Sequence, residues 1–73
     1  MPKLPVLSGS ETCKILQMFG WRIVHQKGSH IIMVKEGEIV TLSIPNHKEV
    51  AKGTLYSLIK SANLTLSEFI EKV

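Results

Sequence analysis

The stretch from Trp21 to Ile44 limits the possible folds more than any other part of the chain. Two glycine dipeptides, Lys27-Gly28 and Glu36-Gly37, divide it into three short runs, WRIVHQ, SHIIMVK and EIVTLSI. Runs rich in β-branched residues, separated by glycine-bearing dipeptides, read as strands joined by tight hairpin turns. The spacing predicts strands over 21–26, 29–35 and 38–44, the last stopped by Pro45, in an antiparallel meander. With Glu36-Gly37 as the second turn, Met33 opposes Val40 and Ile31 opposes Leu42, an apolar set expected to face the core. Ile32 then opposes Thr41, and His30 opposes Ser43. With Lys27-Gly28 as the first turn, His25 opposes His30 and Ile23 opposes Ile32. His30, Ile32, Val34 and Ile39 are left on the outer face, enough aliphatic surface to suggest a partner that covers it.

Helical signals flank the strands. Ser8-Gly9-Ser10-Glu11 matches a capping box, and Thr12, Ile15, Leu16 and Phe19 recur at helical spacing before Gly20. This predicts a helix over 9–19, closed by Gly20 in a left-handed conformation. The turn-forming segment Pro45-Asn46-His47-Lys48-Glu49 leads to a second helix over 53–62, with Leu55, Leu58, Ile59 and Ala62 inward and Asn63 as its stop. Thr65-Leu66-Ser67-Glu68 is a second capping box, opening a short helix with Phe69, Ile70 and Val73 as its apolar residues. Pro2 and Pro5 leave the first seven residues extended and loose. The resulting order is α-β-β-β-α plus a short C-terminal helix. The expected fold is α+β in two layers, with a three-stranded antiparallel sheet and helices on one face.

Composition sets the outer bounds. Seventy-three residues, 44% of them apolar, allow a single domain over 1–73 with a thin core, so stability is expected to lean on a partner or an oligomer. The lone Cys13 excludes a disulfide framework and a multi-cysteine zinc site, which fits a reducing compartment. It falls on the flank of the first helix, off the apolar stripe, with no base to activate it. The opening MPKLPVLSGSET has no apolar core of a signal peptide, and no run reaches the length of a membrane span. A cytoplasmic protein without membrane attachment is expected. Net charge is +3, but residues 1–35 carry five Lys/Arg and one Glu, net +4, whereas 36–73 are net −1. A basic first half is compatible with a polyanionic partner.

The chain has no Asp, which argues against a paired-carboxylate hydrolase. Its histidines are His25, His30 and His47, none at metal-binding helical spacing and none with cysteine or carboxylate support for zinc. His30 follows the first turn, beside Lys27 and Ser29. An imidazole titrates near neutrality and can exchange a proton without a metal. If RNA crosses the turn, Lys27 and the backbone amides of Gly28 and Ser29 can hold a phosphate while His30 takes a proton from a 2′-hydroxyl or gives one to the departing 5′-oxygen. His47 is either an RNA contact, a second proton-transfer group, or a cap of the second helix; Lys48 and Lys52 add positive charge nearby. Phe19 and Trp21 adjoin a helix end and are expected in the core.

Gly20-Trp21, Gln26-Lys27-Gly28-Ser29-His30, Ile44-Pro45-Asn46-His47 and Lys52-Gly53-Thr54-Leu55 together resemble the HicA (YcfA-like) family of toxin ribonucleases, over about Ser8 to Leu64. The resemblance implies a double-stranded-RNA-binding-domain-like fold, cofactor-free cleavage of mRNA, and silencing by a HicB-type antitoxin, with any oligomer formed through that complex. It also implies that His30 is the essential histidine. Two residues before Lys27 the family usually carries arginine. This chain has His25 there, which either weakens phosphate binding or offers a second proton-transfer group. A non-catalytic RNA-binding module of the same fold class is the alternative, since such domains read helix shape through lysines and backbone contacts.

Overall fold

The computed structural model describes residues 3–73, in the order α1 (Gly9–Met18), β1 (Arg22–Lys27), β2 (His30–Val34), β3 (Leu42–Pro45), α2 (Lys52–Ser61) and α3 (Leu66–Glu71). The strands form one antiparallel sheet ordered β1-β2-β3. This is the α-β-β-β-α arrangement of double-stranded-RNA-binding-like folds with a short helix added. No helix among the described residues is long and apolar enough to cross a membrane.

The hairpins differ from the sequence expectation in register. Lys27 pairs with His30, so the first turn is Gly28-Ser29 rather than Lys27-Gly28. A Lys-Gly turn would need positive φ at lysine. Gly28 instead takes φ +61 at the first central position, and Ser29 keeps negative φ, the type II′ pattern that suits the twist of paired strands. His25 therefore opposes Ile32, not His30, and Ile23 opposes Met33, not Ile32. Val24 is left over between them as a β-bulge.

The second hairpin is wider than expected. Met33 pairs with Leu42, Ile31 with Ile44, Ile32 with Ser43 and His30 with Pro45, a shift of two residues along β3. At Lys35-Glu36-Gly37-Glu38 the Glu38 amide donates to the Lys35 carbonyl at 3.1 Å, with negative φ at Glu36 and +88 at Gly37. That is a type II pattern, which splays strands, so residues 38–41 run as loop before pairing resumes. Ile39 is fully exposed in that loop and is not part of the sheet's outer face. Side chains alternate with period two, so the shift by two preserves the faces: Ile31, Met33 and Leu42 are buried beneath the helices as expected, and Ile44 is buried with them, whereas Val40, expected to face the core, is exposed because it falls in the loop ahead of the paired residues.

Both capping boxes form. Ser8 Oγ accepts from the Glu11 amide at 3.0 Å while Glu11 Oε1 accepts from the Ser8 amide at 2.9 Å, and Thr65 and Glu68 repeat the exchange at 3.1 and 2.8 Å. These bonds from the Ser8 backbone and hydroxyl, and their Thr65 counterparts, hold both carboxyls below the usual range. The caps are therefore intact above the ordinary carboxylate range and weaken as pH falls through it. Gly20 (φ +96) and Asn63 (φ +61) close α1 and α2 in left-handed geometry. Leu55, Leu58, Ile59 and Ala62 are buried along α2.

Two readings need correction. Cys13 is buried in the core rather than flanking it, and burial pushes its thiol pKa up. Residues 3–7 are not loose: Leu4 and Leu7 join the core, and the Val50 amide donates to the Leu7 carbonyl at 2.8 Å; Pro2 lies outside the described residues. Trp21 is sealed in the core with its indole Nε1 unpartnered, and Phe19 packs against it partly buried.

Phe69 is wholly buried although α3 is only 6 residues long. Truncation there leaves a cavity in the hydrophobic core. Phe69→Ala should cost about 3–5 kcal/mol of unfolding free energy in a urea titration. A loss below about 1 kcal/mol would mean that α3 is an ornament and not part of the core.

Candidate nucleic-acid interface

The first turn and the loop after β3 meet at one end of the sheet. His30 opens β2, with Lys27 opposite it on β1 and Pro45 opposite it on β3. Gln26 Nε2 donates to the Gly28 carbonyl at 3.1 Å and braces the turn. The Ser29 carbonyl accepts from the Asn46 amide at 2.6 Å, which ties the turn to the loop that carries His47 and Lys48. Lys27, Gly28, Ser29, His30, Asn46, His47 and Lys48 are all exposed. A small ligand would keep most of its hydration on so open a surface, whereas a polymer can touch several of these groups together.

The loop is fixed from behind by α1. The Gly9 amide donates to the His47 carbonyl at 2.9 Å. A Cβ on Gly9 would overlap the Pro45 carbonyl oxygen and lie 2.9 Å from Asn46 Cα, so only glycine lets the helix start approach this closely. Lys52 stands four residues past Lys48, at the exposed start of α2. Ala51 supplies no side-chain cap there, and the first turn holds no acid. The free amides and Lys52 thus make that helix end electropositive. No side-chain hydrogen bond joins Lys52 to the Gly28-Ser29 turn among the described residues.

Charge accumulates on the outer sheet face. From Gly20 to Lys35 the chain has Arg22, Lys27 and Lys35, two histidines and no acid. Arg22 pairs with Val34, His25 with Ile32 and Lys27 with His30, so three basic or titratable residues of β1 share the face of His30. Cys13 takes no part, being enclosed on the other side of the sheet with its thiol disfavoured from ionising.

Two contributors escape a residue-by-residue reading. Gly9 counted only as a filler inside the capping box, although a glycine in a first helical turn, where most residues do better, is itself a sign of close approach. Gln26 counted only as part of a string, although its side chain closes the turn.

Residues 9–64 match the family model described as the HicA toxin of bacterial toxin–antitoxin systems. The structure is similar to a chain of a toxin–antitoxin complex from Streptococcus pneumoniae, with TM-score 0.72 and 37% sequence identity, over 80% of this chain and 98% of that one. No match was found among curated proteins.

Ordinarily a Gly→Ala change in a first helical turn gains up to about 1 kcal/mol in propensity. At Gly9 the obstacle is backbone, which cannot rotate away, and overpacking of this kind costs about 1–3 kcal/mol. Gly9→Ala should therefore lower the denaturation midpoint and shift the amide resonances of Asn46 and His47. Unmoved resonances with a raised midpoint would show that the helix start does not position the loop.

Proposed function

The chain belongs to the HicA toxin family, and on that premise we propose that it is a metal-independent endoribonuclease that cleaves mRNA as the toxin of a toxin–antitoxin pair. The observation that carries this reading is the position of His30, exposed at the first residue after a type II′ turn, between Lys27 on one strand and the His47–Lys48 loop beyond the other. In this reading His30 exchanges a proton with the ribose–phosphate. Its imidazole makes one of the two proton transfers, accepting the 2′-hydroxyl proton as O2′ bonds to phosphorus or donating to O5′ as the P–O5′ bond breaks; a second group or water makes the other, and a cyclic phosphate and a 5′-hydroxyl result. Lys27 and the amides of Gly28 and Ser29 hold the phosphate, and His47, Lys48 and Lys52 extend the contact along the strand. Single-stranded message suits the step, because an unconstrained backbone can bring the 2′-oxygen in line with the scissile phosphorus. The site of action is the cytoplasm.

The partner is an antitoxin protein of the HicB type. The Streptococcus pneumoniae chain to which this one is similar belongs to a toxin–antitoxin complex, and the outer face, with its basic residues exposed and Ile32 and Val34 half-buried, is a surface that an inhibitor can cover. A second reading, a non-catalytic RNA binder, is favoured by the fold class itself, which serves duplex recognition through lysines and backbone contacts.

Induced expression of wild type and His30→Ala, with growth and RNA integrity followed together, separates the two. Wild type should arrest growth and fragment mRNA, and His30→Ala should lose about 10²–10⁴-fold in cleavage rate. An alanine variant that arrests growth and degrades message as wild type does would remove His30 from the chemistry. Steeply salt-dependent binding of duplex RNA that stays intact would favour the non-catalytic module.

A further inference from the structure

The bulge at Val24 decides which way His25 faces. In unbroken pairing Ile23↔Met33 would be followed by His25 opposite Ile31, on the buried face. The extra residue instead sets His25 opposite Ile32, and Gln26 takes the place opposite Ile31. Ile32 lies two residues from His30 on the same strand, so His25 and His30 share the outer face on neighbouring rungs of the ladder. Such diagonal positions are about 7–8 Å apart between Cα atoms, within reach of two rings. Both residues are exposed, and Lys27, opposite His30, completes the corner.

We propose that His25 is a catalytic residue, the second proton-transfer group that works opposite His30 on a bound phosphodiester; this rests on the ribonuclease reading above. Transesterification of RNA needs two proton movements on opposite sides of phosphorus. One ring removes the proton from the 2′-hydroxyl while O2′ bonds to phosphorus. The other gives a proton to O5′ while the P–O5′ bond breaks. One proton is taken and one delivered, so the step balances without metal or co-reactant, and exchange with water at the exposed rings restores the starting state. The other polar residues of this face are Arg22, Lys27 and Ser43. Side chains of those types do not exchange protons readily near neutrality, whereas imidazole does. They suit holding the phosphate. A bulge that turns one histidine from the core side to the side of another is the kind of local irregularity that re-aims a side chain at a working surface.

The test uses the full chain on an RNA oligonucleotide whose cleaved linkage has been mapped with wild type. His25→Ala and His25→Gln should each lower kcat by about 10²–10⁴-fold. KM should stay within about threefold, the pattern of an interaction made only in the transition state. The pH–rate profile of wild type should have two limbs and that of each variant one. A substrate with sulfur in place of the bridging 5′-oxygen leaves without protonation. It should restore the variant that lost the acid, either His25→Ala or His30→Ala, and not the other. Retention of kcat within about threefold, a loss confined to KM, or rescue of neither variant would overturn the assignment. Failure of the underlying reading looks different: wild type leaves RNA uncut, or His30→Ala cuts it as wild type does, and the role of His25 falls with it.

Discussion

Strand β2 is hydrogen-bonded along both edges, and its inward residues Ile31 and Met33 are sealed beneath the helices. A one-residue slip would turn those apolar side chains to water and His30 toward the core. Register in this small sheet is thus held by burial on one face, and the position of the histidine on the other face is a consequence. The same constraint aligns the neighbours: Lys27 and Pro45 flank His30 because Ile31 has Gln26 on one side and Ile44 on the other.

Around that strand, backbone hydrogen bonds join segments far apart in sequence. Asn46 to Ser29, Gly9 to His47 and Val50 to Leu7 tie the first turn, the loop after β3, the start of α1 and the N-terminal segment into one end of the molecule. None of these bonds uses a side chain, which leaves the side chains of Ser29, His30, His47 and Lys48 free to meet a ligand. Backbone atoms supply the rigidity, and the side chains of the same residues stay open to solvent. This is the arrangement that positions a reactive group without enclosing it.

Much of this was legible in the sequence, and the failures have identifiable causes. Capping boxes at Ser8 and Thr65 and left-handed stops at Gly20 and Asn63 depend on local chemistry, and each formed as read. Most of the buried face of the sheet also came out correctly, although the β2–β3 register was wrong by two, because parity and not register assigns faces; Val40 is the exception, exposed in the loop where no pairing forms. What was not legible depended on geometry that two residue types share. Lys27-Gly28 and Gly28-Ser29 both contain the glycine a hairpin needs, and only the preference for positive φ at the first central residue separates them. The bulge at Val24 and the docking of Leu4 and Leu7 were hidden for a different reason: each is settled by what the rest of the chain places opposite. For the candidate site, the cluster of Lys27 to His30 was visible as a string, whereas its junction with the Asn46–Lys48 loop required the third strand.

Cys13 is the only cysteine of the chain, and it is shut inside the core. A sulfhydryl introduced on the surface would have no rival for an alkylating reagent while the protein stays folded. The fully exposed Ile39 lies in the connection beyond the opposite end of β2 from His30, a strand that spans on the order of 13 Å. A fluorophore attached there would travel with the sheet and leave the basic corner open, so that capture by a partner or a nucleic acid could be followed by light.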